Sequence, residues 1–104
     1  MARLRPTRTS QATVHTTISN TVRTLLRVNN RSQRELAQAI GIGEDAVSRS
    51  MQGPYAPRPR PWPIHEVINI ATFFEVPVTS LLGEEEQDEL LDAVRHGIEN
   101  LLDP

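Results

Sequence analysis

Apolar positions along the chain fall at helical spacing from residue 17 onward. In 17–28, Ile18, Val22, Leu25 and Leu26 recur every three to four residues, the stripe of a helix with one buried face. Asn29-Asn30 then breaks the pattern as a turn. A second helix is expected over 32–40. Ser32 and Glu35 form a capping box at its start, Leu36, Ala37 and Ile40 make its inner face, and Gly41 supplies a left-handed stop. Ile42 keeps the turn attached to the core, and a third helix follows over 44–52. Glu44 and Asp45 suit the positive end of its dipole, Val47 and Met51 point inward, and Gly53 ends it. A fourth helix, 64–74, carries Ile64, Val67, Ile68, Ala71 and Phe74 on one face; a short fifth, 78–82, closes before Gly83. With every periodic stretch helical, the expected class is all-α.

Two stretches lack this periodicity. Residues 1–16 are rich in Arg, Thr and Ser and read as a flexible basic arm. Arg3, Arg5 and Arg8 either follow DNA into a minor groove or make a solvated tail. The Arg- and Ser/Thr-rich start also has transit-peptide composition, but removing residues 1–34 would delete the first core helix. Residues 53–63 hold five of the eight prolines, which forbids helix and favours a stiff, extended loop. Arg58 and Arg60 alternate with proline there, placed either to touch phosphates or to belong to a loop packed through Trp62 and Tyr55. A proline-rich ligand for an aromatic groove is the further alternative.

Gln33, Ala37, Gly41, Ile42, Val47, Ser48 and Gly53 together resemble the helix-turn-helix of the phage-repressor family, the lambda repressor and Cro (XRE) type. Ala, Gly and Val stand four, eight and fourteen residues after Gln33, where two short helices joined by a tight turn need a small residue, a left-handed residue and a core residue. The resemblance spans residues 17–83, including the closing pair Leu81-Leu82. It implies a five-helix lambda-repressor-like DNA-binding domain whose third helix lies in the major groove. Mapped onto this chain, Glu44, Asp45, Ser48 and Arg49 read base edges. Gln33 bonds a phosphate or supports Glu44, and Arg31 and Arg34 clamp phosphates. Relatives commonly carry a neutral reader such as Gln where this chain has Glu44, and Asp45 follows it. Two acids at the groove-facing tip oppose a polyanion unless they accept from cytosine amino groups; otherwise they serve the helix dipole. Arg49 fits guanine or a phosphate.

Charge sharpens the picture. The net charge of −2 over 104 residues hides a basic front and an acidic back. Residues 1–60 hold ten arginines against three acids, or +7, and residues 61–104 hold Arg95 against ten acids, or −9. Only the front suits a polyanion, and it contains the helix pair.

The tail, 84–104, reads as a separate acidic amphipathic helix. Leu90, Leu91, Val94, Ile98, Leu101 and Leu102 form its apolar stripe, left over once a five-helix core is filled. Repressors of the resembled type bind two-fold sites as dimers, so the stripe is expected to dimerise, giving a homodimer on double-stranded DNA. Other classes fit poorly. The chain has no cysteine, and His15, His65 and His96 are far apart and expected at the surface or at caps, so neither a metal nor another cofactor is expected. No nucleophile–base set or phosphate loop points to an enzyme, and no small-molecule ligand is evident. No apolar run reaches the ~18 residues of a membrane span, and no leader follows the first basic residues, so the cytoplasm of a bacterium or phage-infected host is expected. The expected function is a sequence-specific transcriptional regulator, a small phage or prophage repressor. The alternative is a protein-interaction module, an antitoxin or antirepressor, that uses the same helices and the acidic tail.

Overall fold

Ser10 opens the first helix eight residues before the expected apolar stripe begins at Ile18. Its hydroxyl accepts from the Thr13 backbone N–H, and α1 runs Gln11–Val28. The remaining elements are α2 (Gln33–Ile40), α3 (Glu44–Met51), α4 (Ile64–Phe74), a 3-10 turn (Val78–Leu81) and α5 (Glu84–Leu102). This computed structural model describes residues 10–102, all of whose regular structure is helical. Arg3, Arg5 and Arg8 lie outside the described residues, as does the Leu102 side chain.

The expected arm boundary at residue 16 needs correcting, because residues 11–16 are helical. Val14 packs on the core, and His15 is buried with its ring Nε2 2.8 Å from the Ser50 carbonyl. The one fully buried side chain of this first turn-and-a-half is polar, His15, and Ala12 and Val14 are only half-buried, so no apolar stripe marks it. His15 is thus a core residue, not a surface or cap histidine.

Four elements converge on one core. Ile18, Val22 and Leu26 of α1 meet Leu36 and Ala37 of α2, Val47 and Met51 of α3, and Val67, Ile70 and Ala71 of α4, with Trp62 and Leu81 closing the edges. The α2 opening is the expected capping box, complete in both directions between Ser32 and Glu35. Gly41 takes φ +76°, so the chain reverses while Ile42 N–H bonds the Ala37 carbonyl at 3.0 Å. Because that conformation costs a Cβ-bearing residue ~1–2 kcal/mol, Gly41→Ala is expected to lower unfolding free energy by about that amount. Ser32→Ala should cost ~1 kcal/mol through the lost cap. Urea denaturation of each variant measures both.

The α4 face is rotated from the expected one. Ile64 and Ile68 are exposed, whereas Glu66, Val67, Ile70 and Ala71 are buried. The cause is an ion pair: Glu66 turns inward to meet Arg60. The expected fifth helix is a single 3-10 turn, and the proline-rich loop bends through 54–58 before running irregularly to Pro63. Trp62 packs in the core as one reading of the loop required, but Tyr55 stands 88% exposed. Beyond Gly83, α5 leaves the core. Glu86 is the one described α5 side chain that is buried, and its Oε1 accepts from Thr17 Oγ1 at 2.8 Å. The longest dimension of the molecule is 50 Å.

Candidate nucleic-acid interface

The third helix presents two faces of opposite character. Val47, Ser50 and Met51 turn inward and are buried. Glu44, Asp45 and Arg49 are exposed, and Ser48 is half-buried beside them. Residues 44 and 48, and 45 and 49, are four apart, so these four side chains share one side of the helix. Gln52, at the helix end and eight residues beyond Glu44, is exposed on the same line. Sequence reading passed over it because it looked like a terminus.

At the tip, Gly43 is the N-cap and no side chain caps the first turn. Asp45 folds back: a Cβ built on Gly43 would fall 2.5 Å from its Oδ1. Its Oδ2 lies 4.0 Å from Arg49 Nη2, an exposed pair worth little. Asp45 is thereby bound up with its own helix, while Glu44 has no ion pair among the described residues.

Of the residues expected at phosphates, Arg34 and Arg58 are exposed and Gln33 is half-buried at the start of α2. Arg31 Nη1 bonds Glu35 Oε2 at 2.9 Å. That bond, with the Ser32 backbone N–H, holds the Glu35 carboxyl below its ordinary 4.5. A lowered folded-state value favours the native state above 4.5 and fades as pH falls through that range. We expect thermal melts to lose stability on acidification, with Glu35→Gln removing part of that dependence while keeping a cap acceptor.

Arg60 is placed differently from its expected role at phosphates. Its guanidinium grips the Glu66 carboxylate through two bonds, Nη1 to Oε1 at 2.9 Å and Nη2 to Oε2 at 2.7 Å. Nη1 also donates to Ser50 Oγ at 2.9 Å. The hydrogen bonds to Glu66 push the guanidinium further toward its charged form, against the opposing effect of burial. With its donors engaged inside the fold, Arg60 is a strut between the loop, α3 and α4.

That strut belongs to a polar layer under the C-terminal end of α3 that sequence reading missed. Ser19 Oγ donates to the Ser50 carbonyl at 2.9 Å, and since this carbonyl only accepts, His15 Nε2 beside it carries the hydrogen. Trp62 Nε1 donates to Ser19 Oγ at 2.9 Å. Arg23 donates from Nη2 to the Met51 carbonyl at 2.9 Å. His15, Ser19 and Arg23 stand four apart on α1, so one line of polar side chains satisfies the terminal carbonyls of α3. No buried side-chain nitrogen or oxygen among the described residues is left without a partner. A saturated layer of this kind fixes one position of α3 on α1 and leaves its outer face free.

Among the described residues no cluster of His, Cys, Asp and Glu is arranged to hold a metal, and no helix is long and apolar enough to cross a membrane. Comparison with known proteins gives no match: no protein-family model, curated protein or solved structure aligns with this chain.

Proposed function

We propose that the protein is a sequence-specific double-stranded-DNA-binding transcriptional regulator of lambda-repressor-like fold, acting as a small phage or prophage repressor. It places α3 in the major groove of an operator. The observation that carries this reading is the two-faced third helix: its inner end is locked by the His15–Ser19–Arg23–Arg60 layer, and its outer face carries only polar and charged side chains. A reader helix needs that combination, since base edges are discriminated by hydrogen bonds at fixed positions. The basic front of the chain supports it, because phosphate contacts supply most of the affinity.

In this reading Arg49 bonds guanine, Glu44 accepts from a cytosine amino group, and Ser48 and Gln52 fill the remaining contacts. Gln33, Arg31, Arg34 and Arg58 hold phosphates, the arm arginines follow the duplex, and Asp45 serves the helix dipole. A homodimer through α5 matches two-fold operators. Selection from a pool of random duplexes tests the proposal. The wild type should return a two-fold site, and Glu44→Gln should change the preferred base at one position in each half. If nothing is enriched, the free Glu44 at the tip favours the other reading, an antitoxin or antirepressor that offers this acid to a basic protein.

A further inference from the structure

The α5 stripe carries a direction as well as a face. Leu91, Val94, Ile98 and Leu101 are all more than half exposed, and their three–four–three spacing is a two-heptad coiled-coil seam. We propose that α5 pairs antiparallel with α5 of a second copy, with the crossing beside Gly97; this rests on the reading of α5 as the dimerisation element.

Three observations bear on the pairing, and the first of them sets its sense. The first is charge. The N-terminal half of the helix holds Glu84, Glu85, Asp88, Glu89 and Asp92 besides the buried Glu86, whereas its only basic residues, Arg95 and His96, lie in the second half. Parallel pairing gathers the acids of both helices at one end of the pair and stacks two positive helix ends together. Antiparallel pairing separates the acids and opposes the dipoles. Arg95 then flanks the midpoint beside its own copy, offset by Asp92, whose Oδ1 lies 4.0 Å away on each helix.

The second is register. Antiparallel layers pair Leu91 with the partner's Leu101 and Val94 with the partner's Ile98, so every seam position finds an apolar mate. The third is Gly97, on the other flank of the midpoint. It is exposed, nothing among the described residues lies within 4 Å of a Cβ built on it, and its φ is not positive. Nothing among the described residues requires a glycine there, and a mid-helix glycine weakens the helix relative to alanine. Close approach of a second helix uses it.

The geometry has a consequence for DNA. Glu86, where α5 joins the domain, falls about 20 residues, or roughly 30 Å, along the pair from the partner's Glu86. That compares with the ~34 Å between successive major-groove half-sites. Parallel pairing brings the two attachment points side by side.

The chain has no cysteine, so introduced ones report the pairing directly. Leu91→Cys, Leu101→Cys and the double variant of the full chain are oxidised and run on non-reducing gels. The antiparallel pair cross-links the double variant and neither single one, because the two positions 91 are ~15 Å apart along the axis, beyond the ~7 Å reach of a disulfide. Cross-linking of each single variant to itself overturns the antiparallel sense and leaves a dimer standing. A double variant that stays uncrosslinked, with wild-type chain sedimenting as a monomer, overturns the dimer reading with it. Gly97→Leu should weaken dimerisation about tenfold through crowding at the crossing, with helical circular dichroism confirming that α5 forms. An unchanged dimer constant places the crossing elsewhere.

Discussion

Glu66→Ala is expected to lower the unfolding free energy by about 3 kcal/mol, toward the lower end of the range for breaking a buried ion pair. Glu66 is 3% exposed and Arg60 22%, so removing the carboxylate leaves a guanidinium largely shielded from water, with Ser50 Oγ as its remaining hydrogen-bond partner among the described residues. For a domain of this size that corresponds to a fall in Tm of roughly 10–20 °C. The deletion also frees the loop that Arg60 ties to α3, so the fall should come with faster proteolysis around residues 54–60. Replacing both partners by apolar residues, Arg60→Met with Glu66→Leu, removes the stranded charge and should recover most of the loss. A single variant within ~0.5 kcal/mol of wild type, the range of an ordinary surface change, would show that the pair does not hold the loop in place.

Arg49→Ala is expected to lower affinity for the preferred operator by ~1–3 kcal/mol, about five- to 150-fold, while barely changing affinity for random duplex. Arg58→Ala makes the contrast. Arg58 is exposed on the proline-rich loop; if it holds a phosphate as proposed, its loss should weaken both duplexes alike and reduce the salt slope by ~1. The two arginines carry the same charge, so a difference between them reports what each one touches. Titrations of each variant on operator and random duplex separate the cases.

The parts of the fold legible in the sequence are those where one residue's local chemistry decides the backbone. Ser32 with Glu35 specifies a helix start, and Gly41 is the residue that takes φ +76° without cost. The apolar stripes of α1, α2 and α3 likewise point to the core they enter. What was not legible depends on polar groups satisfying one another across the fold. His15 and Ser19 are buried because the Ser50 carbonyl waits for them 35 and 31 residues away, and no local period announces that. Glu66 displaces Ile64 and Ile68 from the inner face of α4 for the same reason: Arg60, six residues earlier, needs its carboxylate. An arginine in a proline-rich loop looks the same in sequence whether it meets a phosphate or a buried acid. At the interface, the outward positions of α3 follow from helical spacing alone, whereas the lock on its inner end required the fold.

Equilibrium binding of the full chain to genomic duplex fragments across a salt series, with Arg49→Ala alongside, decides whether α3 reads bases. The account predicts that a few fragments bind well above the rest and that log affinity falls linearly with log salt, by about 0.9 per phosphate contact. It also predicts that Arg49→Ala removes the preference while keeping most of the slope. Weak binding that is indifferent to sequence, abolished by salt and unaffected by Arg49→Ala would contradict it. The outer face of α3 would then read no bases, and the basic half of the chain would be a general polyanion surface.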